Sequence, residues 1–170
     1  SYGSTYNGKR AGNIADMTAT SFYPTKPLAC YGDGGASFTN NEAENDLMVS
    51  CRVHGMSKTD RYDNIRFGLN SRMDSFQGAV LLQKLTVFEQ ELKDREAIAK
   101  RYDEGLSSYY GKQKILSNAS SARALYTIHC ENRDELMNFL IEKGIHCGAF
   151  YQRPVNIQTA YAKWNTSQVT

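Results

Sequence analysis

The segment Thr20-Ser-Phe-Tyr-Pro-Thr-Lys-Pro-Leu-Ala-Cys-Tyr-Gly-Asp-Gly-Gly-Ala36 holds the residues whose types and spacing point most directly to chemistry. Lys26 lies between Pro24 and Pro27, beside Thr25 and five residues after Ser21. A residue before proline is pushed out of the α region, so Lys26 is expected on extended or turn backbone, its amine held by loop geometry. That is an unusual place for a solvating charge. Gly32-Asp-Gly-Gly35 could cradle a phosphate through its amides, but it lacks the GxGxxG and GxxxxGK[ST] spacings. Hairpin-turn geometry is the plainer reading, with Asp33 as a turn former. His54, His129 and His146 share no spacing with carboxylates or a serine, so no triad can be nominated. Cys30, Cys51, Cys130 and Cys147 stand alone, without CxxC or a close Cys/His pair, and read as free thiols in a reducing cytoplasm with no metal site.

The elements that must position Lys26 come from local pattern. Asp16–Phe22 is rich in threonine and Gly35–Thr39 alternates in period two, which predicts two strands around the lysine segment. A short helix is expected from Asn41 to Val53, closed by Gly55, and then a functional loop, mobile or held by a partner, over Met56–Leu69. Asp74 with Gln77 three residues on reads as a variant capping box, opening the apolar series Phe76, Val80, Leu81, Leu85 and Phe88. A second helix is expected over 89–109, with Glu91–Arg95 and Glu96–Lys100 as pairs on a solvated face. Beyond a polar connector at 112–121, Tyr126, Ile128 and Cys130 alternate as a strand. Asn132 with Glu135 opens another helix, Gly144 ends it, and Ile145–Tyr151 reads as a further strand.

Composition bounds the function classes. With 41% hydrophobic and 22% charged residues, the chain is an ordinary globular one. At this length it can bury roughly 70% of its unfolded surface without staples. The 20 basic and 18 acidic residues are scattered, leaving no basic stripe for a nucleic acid. The apolar runs, such as Ala79–Leu82, fall far short of the roughly 20 residues that cross a bilayer, so no membrane partner is expected.

The lysine segment resembles that of the DegT/DnrJ/EryC1/StrS sugar aminotransferases: a serine, a lysine five residues on, then a GDGGA turn. Further similarities follow in order. Arg52-Val-His-Gly55 resembles the family's RxHG helix end. Gly68-Leu-Asn-Ser-Arg-Met73 with Gln77 resembles its GxN-x-R-[ML]-x-x-x-Q element, and Tyr126-Thr-Ile128 with Asn132–Leu136 resembles the opening of its small domain.

The resemblance implies an α/β protein of fold type I, the fold of pyridoxal-phosphate-dependent transferases, with a mostly parallel seven-stranded sheet in its large domain. The chain would be a fragment: residues 1–88 the end of the large domain, 89–121 a linking helix and connector, 122–170 part of the small α/β domain. It implies that Lys26 carries the aldehyde of pyridoxal 5′-phosphate as a Schiff base and shuttles a proton as a free amine. Ser21 would bind the phosphate, and Asn70 would reach it from the neighbouring subunit of a homodimer. Arg72 and Tyr151 match positions lining the sugar side in some members. The implied reaction passes an amino group, from L-glutamate, to a ketone on a nucleotide-linked sugar for surface polysaccharide or glycan biosynthesis. The segments Thr20–Leu28 and Gly68–Asp74 read closest to members that aminate the 3-keto group of UDP-N-acetylhexosamine uronates, with 4-keto-6-deoxy sugars as the competing substrate.

The match breaks in two places. Family members run to roughly twice this length, as two-domain enzymes do, and an Asp-x-x-Gln element that holds the pyridine nitrogen is expected immediately upstream of Ser1. The isolated piece is therefore expected to be inactive. Phe150–Asn156 replaces a His-Tyr-Pro run, leaving Tyr151 alone to carry over. The alternative reading is a truncated, non-catalytic homologue that only binds an intact one. A sugar dehydratase of the same family would carry histidine in place of Lys26.

Overall fold

Asparagine and glycine tolerate left-handed backbone, and Asn7-Gly8 uses it, at φ 50° and 74°, to turn Thr5–Tyr6 (β1) back onto Lys9–Arg10 (β2). In this computed structural model, which describes residues 2–164, Ala119–Ser120 pairs antiparallel with the other side of β1. Met17–Ser21 (β3) and Gly35–Thr39 (β4) form the expected strands, joined as an antiparallel hairpin with Thr18 opposite Phe38 and Ser21 opposite Gly35. Along β3 the half-buried positions are Thr18 and Thr20, so Ser21 falls on the exposed face by alternation.

Helix α1, Glu42–Arg52, begins at Asn41, whose Oδ1 accepts the amides of Ala43 and Glu44 at 2.9 and 3.3 Å. Helix α2, Ser75–Leu85, begins at Asp74 without any side-chain cap bond, and the expected capping box is not formed. Gln77, its other half, is drawn away by a tertiary partner described below. The two starts therefore differ in what their side chains contribute. Asn41→Ala should lower stability by about 1 kcal/mol and Asp74→Ala by under about 0.5 kcal/mol, a contrast that urea unfolding midpoints of the two variants would read.

Helix α3, Phe88–Gly105, is shorter at its end than the sequence pattern suggests. Its charged face is also less purely solvated. Glu96 pairs with Arg123 at 3.0 Å, and the Arg95 guanidinium donates to the Arg123 carbonyl at 3.3 Å, rather than either residue serving a partner four positions along the helix. The reason is reach: Arg123 is nearly buried against the helix, where a charge needs a partner. Of the α2 apolar series, Leu81 is buried, as is Phe88 at the start of α3, while Phe76 is 68% exposed and Leu85 is also exposed. One core cluster joins Phe22, Leu28, Cys30, Leu81 and Phe88, with Tyr2, Ala36 and Leu92 packed against it. Burial raises the Cys30 thiol pKa, in keeping with a packing role.

The chain divides into two compact units, residues 1–128 and 129–170. In the second, Arg133–Glu142 (α4) ends as expected at Gly144, φ 75°. The Gly144 amide donates to Ile141 O at 2.9 Å and the Ile145 amide to Leu140 O at 2.8 Å, a Schellman close. Asn132 precedes α4 without a side-chain cap bond. The strand expected over Tyr126–Cys130 shrinks to Ile128–His129. Ile145–Tyr151 is not a strand; in its unit no described residue offers it a ladder partner, and an unpaired strand leaves its amides unsatisfied. Among the described residues no helix is long and apolar enough to cross a membrane.

Candidate active site

The loop from β3 to β4 is cinched at its base. The Phe22 amide donates to Gly34 O at 2.8 Å, and Phe22 O accepts the Cys30 amide at 2.7 Å. Pro27–Cys30 is buried, with Leu28 and Cys30 in the core cluster, whereas Tyr23–Lys26 is exposed. The loop thus has an anchored half and a presented half. Within the presented half the Lys26 amide donates to Tyr23 O at 2.8 Å, closing a turn, and Ser21 Oγ accepts the Tyr23 amide at 3.2 Å. Lys26 and Ser21 are therefore tied to the same residue of one exposed turn. Among the described residues Lys26 makes no ion pair.

Asn70 and Arg72 are placed by the end of α1. The last carbonyls of a helix lack intrahelical partners, and here the loop supplies them: Leu69 donates to Cys51 O at 2.8 Å and Ser71 to Arg52 O at 2.9 Å. The chain leaves the helix through left-handed His54 and Gly55, φ 60° and 78°. Gly55 donates back to Ser50 O, and His54 donates to Leu69 O at 2.9 Å. A side chain on Gly55 would overlap the Arg66 carbonyl, and one on Gly68 would overlap the Gly55 amide. The two glycines are what let the strands of this loop cross in contact. Asn70 then sits opposite Val53 in an isolated bridge, and its Oδ1 accepts from Arg72 Nε at 3.1 Å. A guanidinium only donates, so the Asn70 side-chain oxygen is the acceptor here and its NH2 keeps its two donor hydrogens.

An open hollow of about 1010 Å3 lies between the hairpin, α1 and this loop, with Thr20, Asp33, Gly35, Asn45, Arg52 and Arg72 on its wall. Of the residues singled out from sequence, Arg72 lines it; Lys26, Ser21 and Asn70 do not. Tyr151 belongs to the second unit, where it is 88% exposed with its ring edge-on to Phe150 at 6.0 Å. Sequence reasoning did not connect Gln77 to the lysine loop. Its Oε1 accepts the Tyr31 amide at 2.8 Å. The only sequence signal was its membership of the element that begins at Gly68.

The fold is α/β, part of the fold type I architecture of pyridoxal-phosphate-dependent transferases. Residues 1–170 match the model of the DegT/DnrJ/EryC1/StrS aminotransferase family, and the chain belongs to that family. It is 40% identical over 163 residues to the UDP-2-acetamido-2-deoxy-3-oxo-D-glucuronate aminotransferase of Pseudomonas aeruginosa, covering 95% of this chain and 45% of the relative. The crystal structure of a DegT/DnrJ/EryC1/StrS aminotransferase from Brucella abortus superposes with TM-score 0.91 at 44% identity, over 95% of this chain and 43% of that one. Streptomyces venezuelae DesV, solved in complex with a ketimine intermediate, superposes with TM-score 0.92 at 33% identity, over 99% and 45%. The chain spans somewhat under half the length of these relatives.

Proposed function

We propose that the full-length protein transfers an amino group to a ketone on a nucleotide-linked sugar, with pyridoxal 5′-phosphate bound through Lys26. The observation that carries this reading is the shared turn: the Lys26 backbone amide and the Ser21 hydroxyl both bonded to Tyr23, so that the two side chains leave one turn, on a loop cinched by Phe22, Cys30 and Gly34, in a chain of an aminotransferase family. The donor set fits the group. A phosphate takes compact donors, and the Ser21 hydroxyl hydrogen and the Asn70 NH2 are of that kind, while an aldehyde takes a primary amine. When bound, the cofactor supplies an electron sink for the carbon that bears the amino group.

In this reading Lys26 Nζ would hold the cofactor through its aldehyde, and as a free amine would be the base that holds and moves a proton at Nζ. Ser21 Oγ would donate to the phosphate. Asn70 would do the same from a second copy of the chain, giving a homodimer with composite sites. Arg72 and Tyr151 contact the sugar-nucleotide substrate. L-glutamate is the amino donor. The Pseudomonas relative acts, by its name, on a 3-oxo-glucuronate carried by UDP, and at 40% identity it favours a UDP-linked 3-keto-hexosamine uronate over a 4-keto-6-deoxy sugar.

Borohydride reduction of the full-length protein after incubation with pyridoxal phosphate tests the assignment. The cofactor's mass should appear on the peptide containing Lys26. Labelling of a different lysine, such as Lys84, with none on Lys26, would refute it.

A further inference from the structure

The lysine loop is gripped from outside the hairpin by one face of α2. Gln77, Leu81 and Lys84 follow one another at spacings of four and three residues, which places them on a single stripe of the helix. Gln77 Oε1 accepts the Tyr31 amide at 2.8 Å, and a Cβ on Gly32 would stand 3.0 Å from Gln77 Nε2, so the amide group is packed closely against the turn. Leu81 packs in the core with Phe22, Leu28 and Cys30, the residues under the presented turn. Lys84 Nζ stands 4.9 Å from the centre of the Tyr31 ring. Tyr31 is thereby held at its backbone and at its side chain. Gln77 bonds Tyr31, the residue after Cys30, whose own amide closes the cinch on Phe22.

We infer that Gln77 is a positioning residue for Lys26: by holding the Tyr31 amide it fixes the return limb of the loop, and through the Cys30–Phe22 bond the turn that presents the amine. The inference rests on the proposal that Lys26 bonds the cofactor, and extends it to a residue that touches neither. Leucine at 77 keeps the apolar stem and removes the acceptor; glutamate keeps an oxygen for the Tyr31 N–H.

Two measurements on the full-length protein read this. In cofactor-free protein the Tyr31 amide should exchange with solvent roughly fivefold faster in Gln77→Leu, about the factor one net hydrogen bond supplies, and at the original rate in Gln77→Glu. On adding pyridoxal phosphate, the visible absorbance of lysine-bound cofactor should appear several-fold more slowly in Gln77→Leu and recover in Gln77→Glu. Unchanged exchange and unchanged rate in Gln77→Leu would overturn the inference. Faster exchange with an unchanged rate would also overturn it, by showing a local structural contact without consequence for the amine. A visible band that never forms in the unsubstituted protein would remove the Lys26 assignment itself, a failure distinct from a normal band with an indifferent Gln77.

Discussion

Lys26→Ala in the full-length protein is expected to abolish the visible absorbance of bound cofactor and to lower transamination by at least the roughly 100- to 10,000-fold that a positioned proton-transfer group contributes. Loss of the covalent attachment adds to that. Stability should hardly change, because the side chain is exposed and the turn is closed by backbone groups of Tyr23 and Lys26 that alanine retains. Exposed substitutions of this kind fall within about 0.5 kcal/mol. Lys26→Arg separates charge from nucleophilicity, since guanidinium stays protonated and does not condense with an aldehyde. It should be as inactive as the alanine variant. Absorbance titration, single-turnover rates and thermal melts on the same three proteins make the comparison. Turnover within tenfold of the original in either variant would end the assignment of Lys26.

The second large effect is on the loop that carries Asn70 and Arg72. Gly55→Ala imposes a left-handed φ on a residue with a Cβ and drives that carbon into the Arg66 carbonyl. Strain of about 1–2 kcal/mol and overpacking of about 1–3 kcal/mol both apply. Gly68→Ala has no φ penalty but meets backbone on three sides: the Gly55 amide, the His54 carbonyl carbon at 2.5 Å and Cys51 O at 2.7 Å. Neither contact is with a flexible side-chain tip, so relief requires the strands of the loop to separate. Separation breaks the bonds from Leu69 and Ser71 that cap α1. Gly55→Ala should lose about 2–5 kcal/mol and Gly68→Ala about 1–3 kcal/mol; under the proposed role of Asn70 as a phosphate donor, both should also bind cofactor more weakly. Urea midpoints and cofactor titration would show it. A wild-type midpoint in both variants would mean that the glycines' close approach has no energetic weight.

The residues that were legible act on their sequence neighbours. Asn41 reaches amides two and three positions ahead, and Gly144 closes a helix whose carbonyls lie within five residues of Ile145. The threonine-rich β3 and the alternating β4 form as strands because each has the other at the far end of one loop. Lys26 on a turn follows from the prolines flanking it. The family was visible for the same reason: each of its motifs is a short contiguous string, the one from Thr20 to Ala36 the longest.

Where local pattern was overruled, a distant group had outbid a near one. Asp74 and Gln77 have the spacing of a capping box, yet Gln77 serves an amide 46 residues back in the chain. Glu96 has Lys100 four positions along and takes Arg123 instead. Phe76 obeys the helical period but stands on the side of α2 that meets no core. Ile145–Tyr151 reads as a strand from sequence and lacks a neighbour to pair with among the described residues.

Sequence alone determined the family, the turn that carries Lys26 and the short-range punctuation, because side-chain type and a few bonds of backbone suffice for those. Only the tertiary structure decided which polar group each side chain serves, where Asn70 and Arg72 are carried by the capping of α1, and that α2 reaches over to hold the lysine loop. Those choices depend on which donors and acceptors are left unpaired after packing, a quantity that exists only once the chain has folded.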